Sequence, residues 1–274
     1  MVYEDKGIVL MLDYLDVAIV NAVRQLLGGF GVIFALAFLM WTMSQRRRGM
    51  GGGWLGNTYY YLVAPGVMFH ELGHAIGCWI TFTPIRRLSL FWPKGDRLGY
   101  VAYAMPVNAR FAAIRIFIIS TGPVWLGCAA LSLAGWIMAG SDFWPSYSLM
   151  FSDSTPGLFE YGQAVVVSAV HMLTTLFCVW KWTSPFYLIL LYLMFCITSE
   201  ITLSPTDLAG MWRGVFILGF FVILLNLVPG VNWVAIKASE MLAPALFAVH
   251  SALFFVLLID ILFYMVFKLI RKIL

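Results

Sequence analysis

Charge is scarce in this chain. Asp, Glu, Lys and Arg make up 11% of its 274 residues, whereas soluble domains carry about 25%. Hydrophobic residues account for 62%, and the mean hydropathy is +0.91. That balance excludes a soluble globular enzyme and a disordered chain. Cysteine is also sparse: Cys78, Cys128, Cys178 and Cys196 all sit in apolar stretches. Buried thiols fit this placement better than a disulfide framework or a zinc ribbon. A secretory leader is not expected, because the first residues include Glu4, Asp5, Asp13 and Asp16 and the first apolar run has no basic start or small-residue cleavage site. The net charge of +4 is small, and its Lys and Arg fall between apolar runs, so nucleic acid is not an expected partner.

Long apolar runs are what the sequence has in abundance. A helix of ~20 residues crosses ~30 Å of hydrocarbon. Seven runs meet that length, roughly 19–43, 59–82, 111–139, 163–181, 184–203, 211–232 and 241–267. The expected fold is an all-α polytopic membrane protein of about seven transmembrane helices, a single domain over 1–274 with its core at about 59–230. No internal repeat is visible. The lipid bilayer is the first expected partner, and a cell-membrane location follows.

Three connections carry information. Gln45, Arg46, Arg47 and Arg48, followed by Gly49, Gly51, Gly52 and Gly53, read as a basic, flexible turn. The loop 140–162 holds Asp142, Asp153 and Glu160 with no Lys or Arg, so it is expected to face away from the cytoplasm. The loop 83–110, with Arg86, Arg87, Lys94, Arg97 and Arg110, is expected on the cytoplasmic side. The three arginines at 46–48 conflict with that topology if 59–82 spans fully. Residues 85–92 and 98–103 read as two strands around a turn at 93–96, a small amphipathic hairpin. An exposed edge there can pair with an extended peptide; a plain solvent hairpin is the other reading.

Ionisable residues inside apolar runs cost roughly 2.5–3.5 kcal/mol each on insertion scales, so each needs a reason. Three lie in one helical turn: His70, Glu71 and His74, an HExxH pattern. Positions i and i+4 share a helix face, so His70 and His74 can hold one metal ion. Glu71, one residue along, is the candidate catalytic base. A catalytic zinc site needs a third protein ligand. Asp207, between Pro205 and Gly210, is the first candidate, because these residues interrupt the helix and leave its side chain free. An N-cap role for Asp207 stays open. Glu200 is the alternative ligand, or a hydrogen-bond acceptor for a ligand histidine. His171 and His250 are lone histidines on apolar faces and read as packing residues; Asp260 has no assignment.

The sequence His70-Glu71-Leu72-Gly73-His74-Ala75 inside a hydrophobic segment resembles the site-2 protease family of intramembrane zinc metalloproteases. The resemblance covers about residues 59–230. It includes Gly122-Pro123, similar to the family's Gly-Pro motif, and Pro205-Thr206-Asp207-Leu208-Ala209-Gly210, similar to its acidic-ligand segment. Leu126 stands where the family's Gly-Pro motif ends in Asn. The resemblance implies a zinc endopeptidase with His70, His74 and Asp207 as ligands and Glu71 as base, cleaving the transmembrane helix of a membrane-protein substrate. Leu98, Gly99, Tyr100, Val101, Gly122 and Pro123 are candidate substrate-contact or gating positions. A non-proteolytic metal-binding membrane protein with the same fold, such as a chaperone or assembly factor, is the alternative.

Overall fold

The computed structural model describes residues 2–55, 57–93, 98–105, 111–144, 157–178 and 184–273. Helix α1 (Val2–Leu26) runs through a π-helical turn (Leu27–Gly31) into α2 (Val32–Leu55). A short α3 (Asn57–Leu62) leads into α4 (Ala64–Ile80). Strands β1 (Ile85–Ser89) and β2 (Tyr100–Tyr103) form an antiparallel pair. Five helical elements follow: α5 (Ala112–Ala139), a 3₁₀ turn (Gly140–Phe143), α6 (Leu158–Cys178), α7 (Pro185–Glu200) and α8 (Pro205–Leu227). The last helix is α9 (Asn232–Ile273).

Four stretches among the described residues are long and apolar enough to cross a membrane: Met11–Gly49, Ala112–Phe143, Pro205–Leu227 and Asn232–Ile270. A shorter apolar helix, Pro185–Glu200, lies among them. Many large apolar side chains face outward, including Phe216, Phe220, Trp136 and Leu133. An outer surface of that kind suits a lipid environment, since soluble monomers rarely expose continuous apolar surface. The buried core joins α2, α5, α6, α7 and α9 through residues such as Met40, Leu131, Met172, Met194 and Phe255.

The basic turn expected at 45–53 is helical instead, because α2 continues to Leu55. Arg47 is 1% exposed and ion-paired with Asp260, which is also 1% exposed, and Arg48 pairs with Glu200. Two of the three arginines therefore have acidic partners, Arg47 fully buried and Arg48 partly exposed. Asp260 acquires an assignment in the same step. The hairpin is present, but β1 ends at Ser89 rather than at residue 92, and a register shift interrupts its pairing between Ile85 and Arg87. Residues 94–96 of the turn lie outside the described residues, as do Arg97, Arg110 and Asp153.

His250 is a buried, hydrogen-bonded packing residue, whereas His171, expected to pack, is hydrogen-bonded but exposed. His250 Nε2 donates to the Gly29 carbonyl in the π-helical turn (3.1 Å), and its Nδ1 accepts from the Tyr161 hydroxyl (2.7 Å). His171 Nε2 donates to the Asp142 carbonyl at 2.8 Å. Cys78, Cys128 and Cys196 are buried free thiols.

Candidate metal centre

The centre begins with α4, which carries the HExxH turn and packs between α5 and α7. Pro65 lies in its first turn, where the missing N–H costs nothing. Its contact with α5 is unusually close. A Cβ on Gly73 would lie 2.6 Å from Pro123 Cα, and one on Gly122 would run into the Gly73 carbonyl. Only residues without a side chain let the two backbones meet this closely.

That approach decides how His74 is held. Pro123 lies inside α5 and has no N–H, so the carbonyl four residues earlier, on Ile119, loses its helical donor. His74 Nδ1 donates to this oxygen at 2.8 Å. His70 finds its acceptor at another helix defect. Its Nδ1 donates to the Glu200 carbonyl at 2.8 Å, and Glu200 is the last residue of α7, where carbonyls have no helical partner. Both rings are therefore set with N–H at Nδ1, and each turns Nε2 inward.

The two Nε2 atoms face each other at 3.2 Å. Asp207 joins them from the first turn of α8, with Oδ1 3.3 Å from His74 Nε2 and Oδ2 3.7 Å from His70 Nε2. The expected helix interruption is at residues 201–204, before Pro205, and Gly210 lies within α8. Asp207 does two jobs at once. Oδ2 accepts from the Ser204 backbone N–H (2.9 Å) and hydroxyl (2.6 Å), and the Asp207 N–H returns to Ser204 Oγ, closing a capping box. The cap fixes the carboxylate's rotation through Oδ2, the oxygen facing His70, and leaves Oδ1 free of the cap beside His74.

Among the described residues, His70, His74 and Asp207 are the one group of this kind, with donor atoms all within 4.8 Å of one another. The donor set fits zinc. Bonds of ~2.0–2.1 Å in a tetrahedron place neighbouring donors ~3.3 Å apart, close to the separations found here. Two inward lone pairs and a carboxylate at such distances repel one another unless a cation, metal or proton, lies between them.

Glu71 is 9% exposed and lines the same cavity without joining the ligand group. Gly99, just before β2, lies directly over it: a Cβ there would be 2.7 Å from Glu71 Cγ. The cavity has a volume of about 730 Å³, and its walls include Leu98, Gly99, Tyr100, Val101 and Tyr103 from the hairpin side. Burial pushes the Tyr103 phenol above its ordinary pKa, which keeps it a neutral donor on the cavity wall.

The other candidates take different places. The Glu200 carboxylate turns to Arg48, and its backbone oxygen rather than its side chain orders His70. Gly122 and Pro123 do not line the cavity; they form the α4–α5 contact, and α5 runs unbroken through them. Arg47, Arg48, Ser204 and Ile119 were not legible as parts of the site. Two signals were present: Pro123, because a proline inside a helix frees the carbonyl four residues back, and Ser204, three residues before Asp207 as in a capping box. No family model, curated protein or solved structure matches the chain.

Proposed function

We propose that this chain is an intramembrane zinc endopeptidase of the site-2 protease kind, a multi-pass protein of the cell membrane with about seven spans. One observation carries the reading: two imidazole lone pairs and a carboxylate converge at 3.2–3.7 Å beside a buried glutamate that is not among them. His70, His74 and Asp207 would hold the ion. Zinc, when bound there, supplies Lewis acidity toward a peptide carbonyl and acidifies water.

The remaining steps belong to the chain's own residues. Glu71 takes a proton from the attacking water and hands it to the leaving nitrogen. The Glu200 and Ile119 carbonyls keep the histidine rings oriented throughout. A substrate is a transmembrane helix of a membrane protein, unwound near one peptide bond. Among the described residues strand β2 pairs with β1 alone, and it lines the cavity, so its other edge can take the unwound segment as a third strand.

The test is zinc content of the purified protein together with cleavage of a transmembrane substrate, with Glu71→Gln as control. Stoichiometric zinc, cleavage by the wild type and none by the variant support the proposal. Zinc without cleavage of any transmembrane substrate supports the non-proteolytic alternative, and absence of zinc defeats both.

A further inference from the structure

The mechanism makes no use of a buried ion pair, Arg47 and Asp260, each 1% exposed. Arg47, in the last turns of α2, divides its guanidinium among three elements. Nε donates to the Tyr59 hydroxyl of α3 at 3.2 Å, one terminal nitrogen pairs with Asp260 of α9, and the other donates to the Ser199 carbonyl of α7. The next residue, Arg48, pairs with the Glu200 carboxylate. Consecutive arginines thus grip consecutive residues at the end of one helix.

That helix end is where His70 finds its acceptor. The last carbonyls of a helix have no partner within it, and terminal turns fray. Beyond Glu200 the chain leaves the helix for residues 201–204 before Pro205 starts α8. A ligand histidine ordered by a fraying carbonyl would be poorly set. A cation at a helix C-terminus answers both problems, since it satisfies an orphan carbonyl and complements the helix dipole. Burying a guanidinium for this purpose needs a counter-charge, which Asp260 provides.

Resting on the metal-site reading above, we propose that Arg47 is a positioning residue of the metal centre. It locks the last turn of α7 through the Ser199 carbonyl, so that the neighbouring Glu200 carbonyl holds His70 with Nε2 toward the ion.

The test uses the full chain in detergent, with cobalt(II) as the probe, read by its visible absorption and by competition with a chelator. Arg47→Lys keeps a charge for Asp260 but, as a point charge, cannot also reach Ser199 and Tyr59 in the same fork. It is expected to weaken cobalt binding about 10–100-fold and to change the cobalt spectrum. Asp260→Asn removes the counter-charge but keeps an oxygen that accepts from the Arg47 guanidinium, which stays on Ser199; it is expected to lower the melting temperature while affinity stays within about threefold of wild type, well short of the loss of an outer hydrogen bond to a ligand. A merely structural Arg47 lowers melting temperature in both variants and moves affinity in neither, which overturns the proposal. If Arg47→Lys does not fold, the double variant Arg47→Met/Asp260→Leu replaces the buried pair with apolar groups, an exchange often neutral for stability. Wild-type affinity in that folded double variant likewise overturns it. If the wild type itself binds no cobalt, the metal-site reading fails first, an outcome separate from either of these.

Discussion

His74 and Pro123 are coupled through a carbonyl that belongs to neither. Pro123 withholds the N–H that would have closed the helical bond to Ile119, and His74 supplies its own in that place, at 2.8 Å. Pro123→Ala is therefore expected to return a backbone donor to Ile119 and put it in competition with His74. Zinc affinity should fall about tenfold, as for other losses of an outer hydrogen bond, with the helix content unchanged. Competition titration against a chelator measures this; an unchanged affinity would show that the ring is held by packing alone.

The two roles of Asp207 can be separated. Ser204→Ala removes the cap and is expected to cost about 1 kcal/mol of stability while zinc stays bound. Asp207→Asn keeps an oxygen for the Ser204 N–H but removes the ligand charge, so it should release zinc while the melting temperature of the metal-free protein changes little. Metal analysis and thermal unfolding of both variants check the pair. Loss of zinc in Ser204→Ala with retention in Asp207→Asn would reverse the assignment.

Gly99 covers Glu71. Gly99→Ala puts a methyl 2.7 Å from Glu71 Cγ and 2.9 Å from the Leu90 carbonyl oxygen, so the Glu71 side chain or the hairpin must move. The expected result is full zinc occupancy with turnover reduced about 10²–10⁴-fold, the usual contribution of a positioned general base. Wild-type turnover in this variant would mean that the hairpin yields instead of Glu71.

Gly73 sets the distance between α4 and α5. Gly73→Ala forces a methyl against the Pro123 backbone at 2.6 Å, and overpacking of this kind costs about 1–3 kcal/mol. Thermal unfolding should show that loss, together with weaker zinc binding as His74 withdraws from Ile119. A stable variant with normal zinc affinity would mean that the helices separate without disturbing the ring.

Much of the site could be read directly from residue order. The i, i+4 spacing of His70 and His74 places two donors on one helix face whatever surrounds the helix. Asp207, three residues after Ser204 and two after Pro205, carried a helix-start signal that α8 obeys. These are local properties, set by helical periodicity and by the missing N–H of proline, so they survive any tertiary arrangement. The apolar runs likewise marked the helices, because hydropathy acts on each segment separately.

What the tertiary structure decided concerns partners distant in the chain. The reading of 45–53 as a basic turn failed because Arg47 meets Asp260, 213 positions away, and a buried counter-charge turns an apparent loop signal into helix interior. Glu200 looked like a ligand because it is an embedded carboxylate, yet Arg48 claims its side chain and only its backbone reaches His70. Two acids and two arginines in apolar surroundings must pair, since each alone is too costly to bury. Composition reveals that need, but which acid meets which arginine depends on how three helices, α2, α7 and α9, pack together, and that is a property of the fold rather than of any one segment.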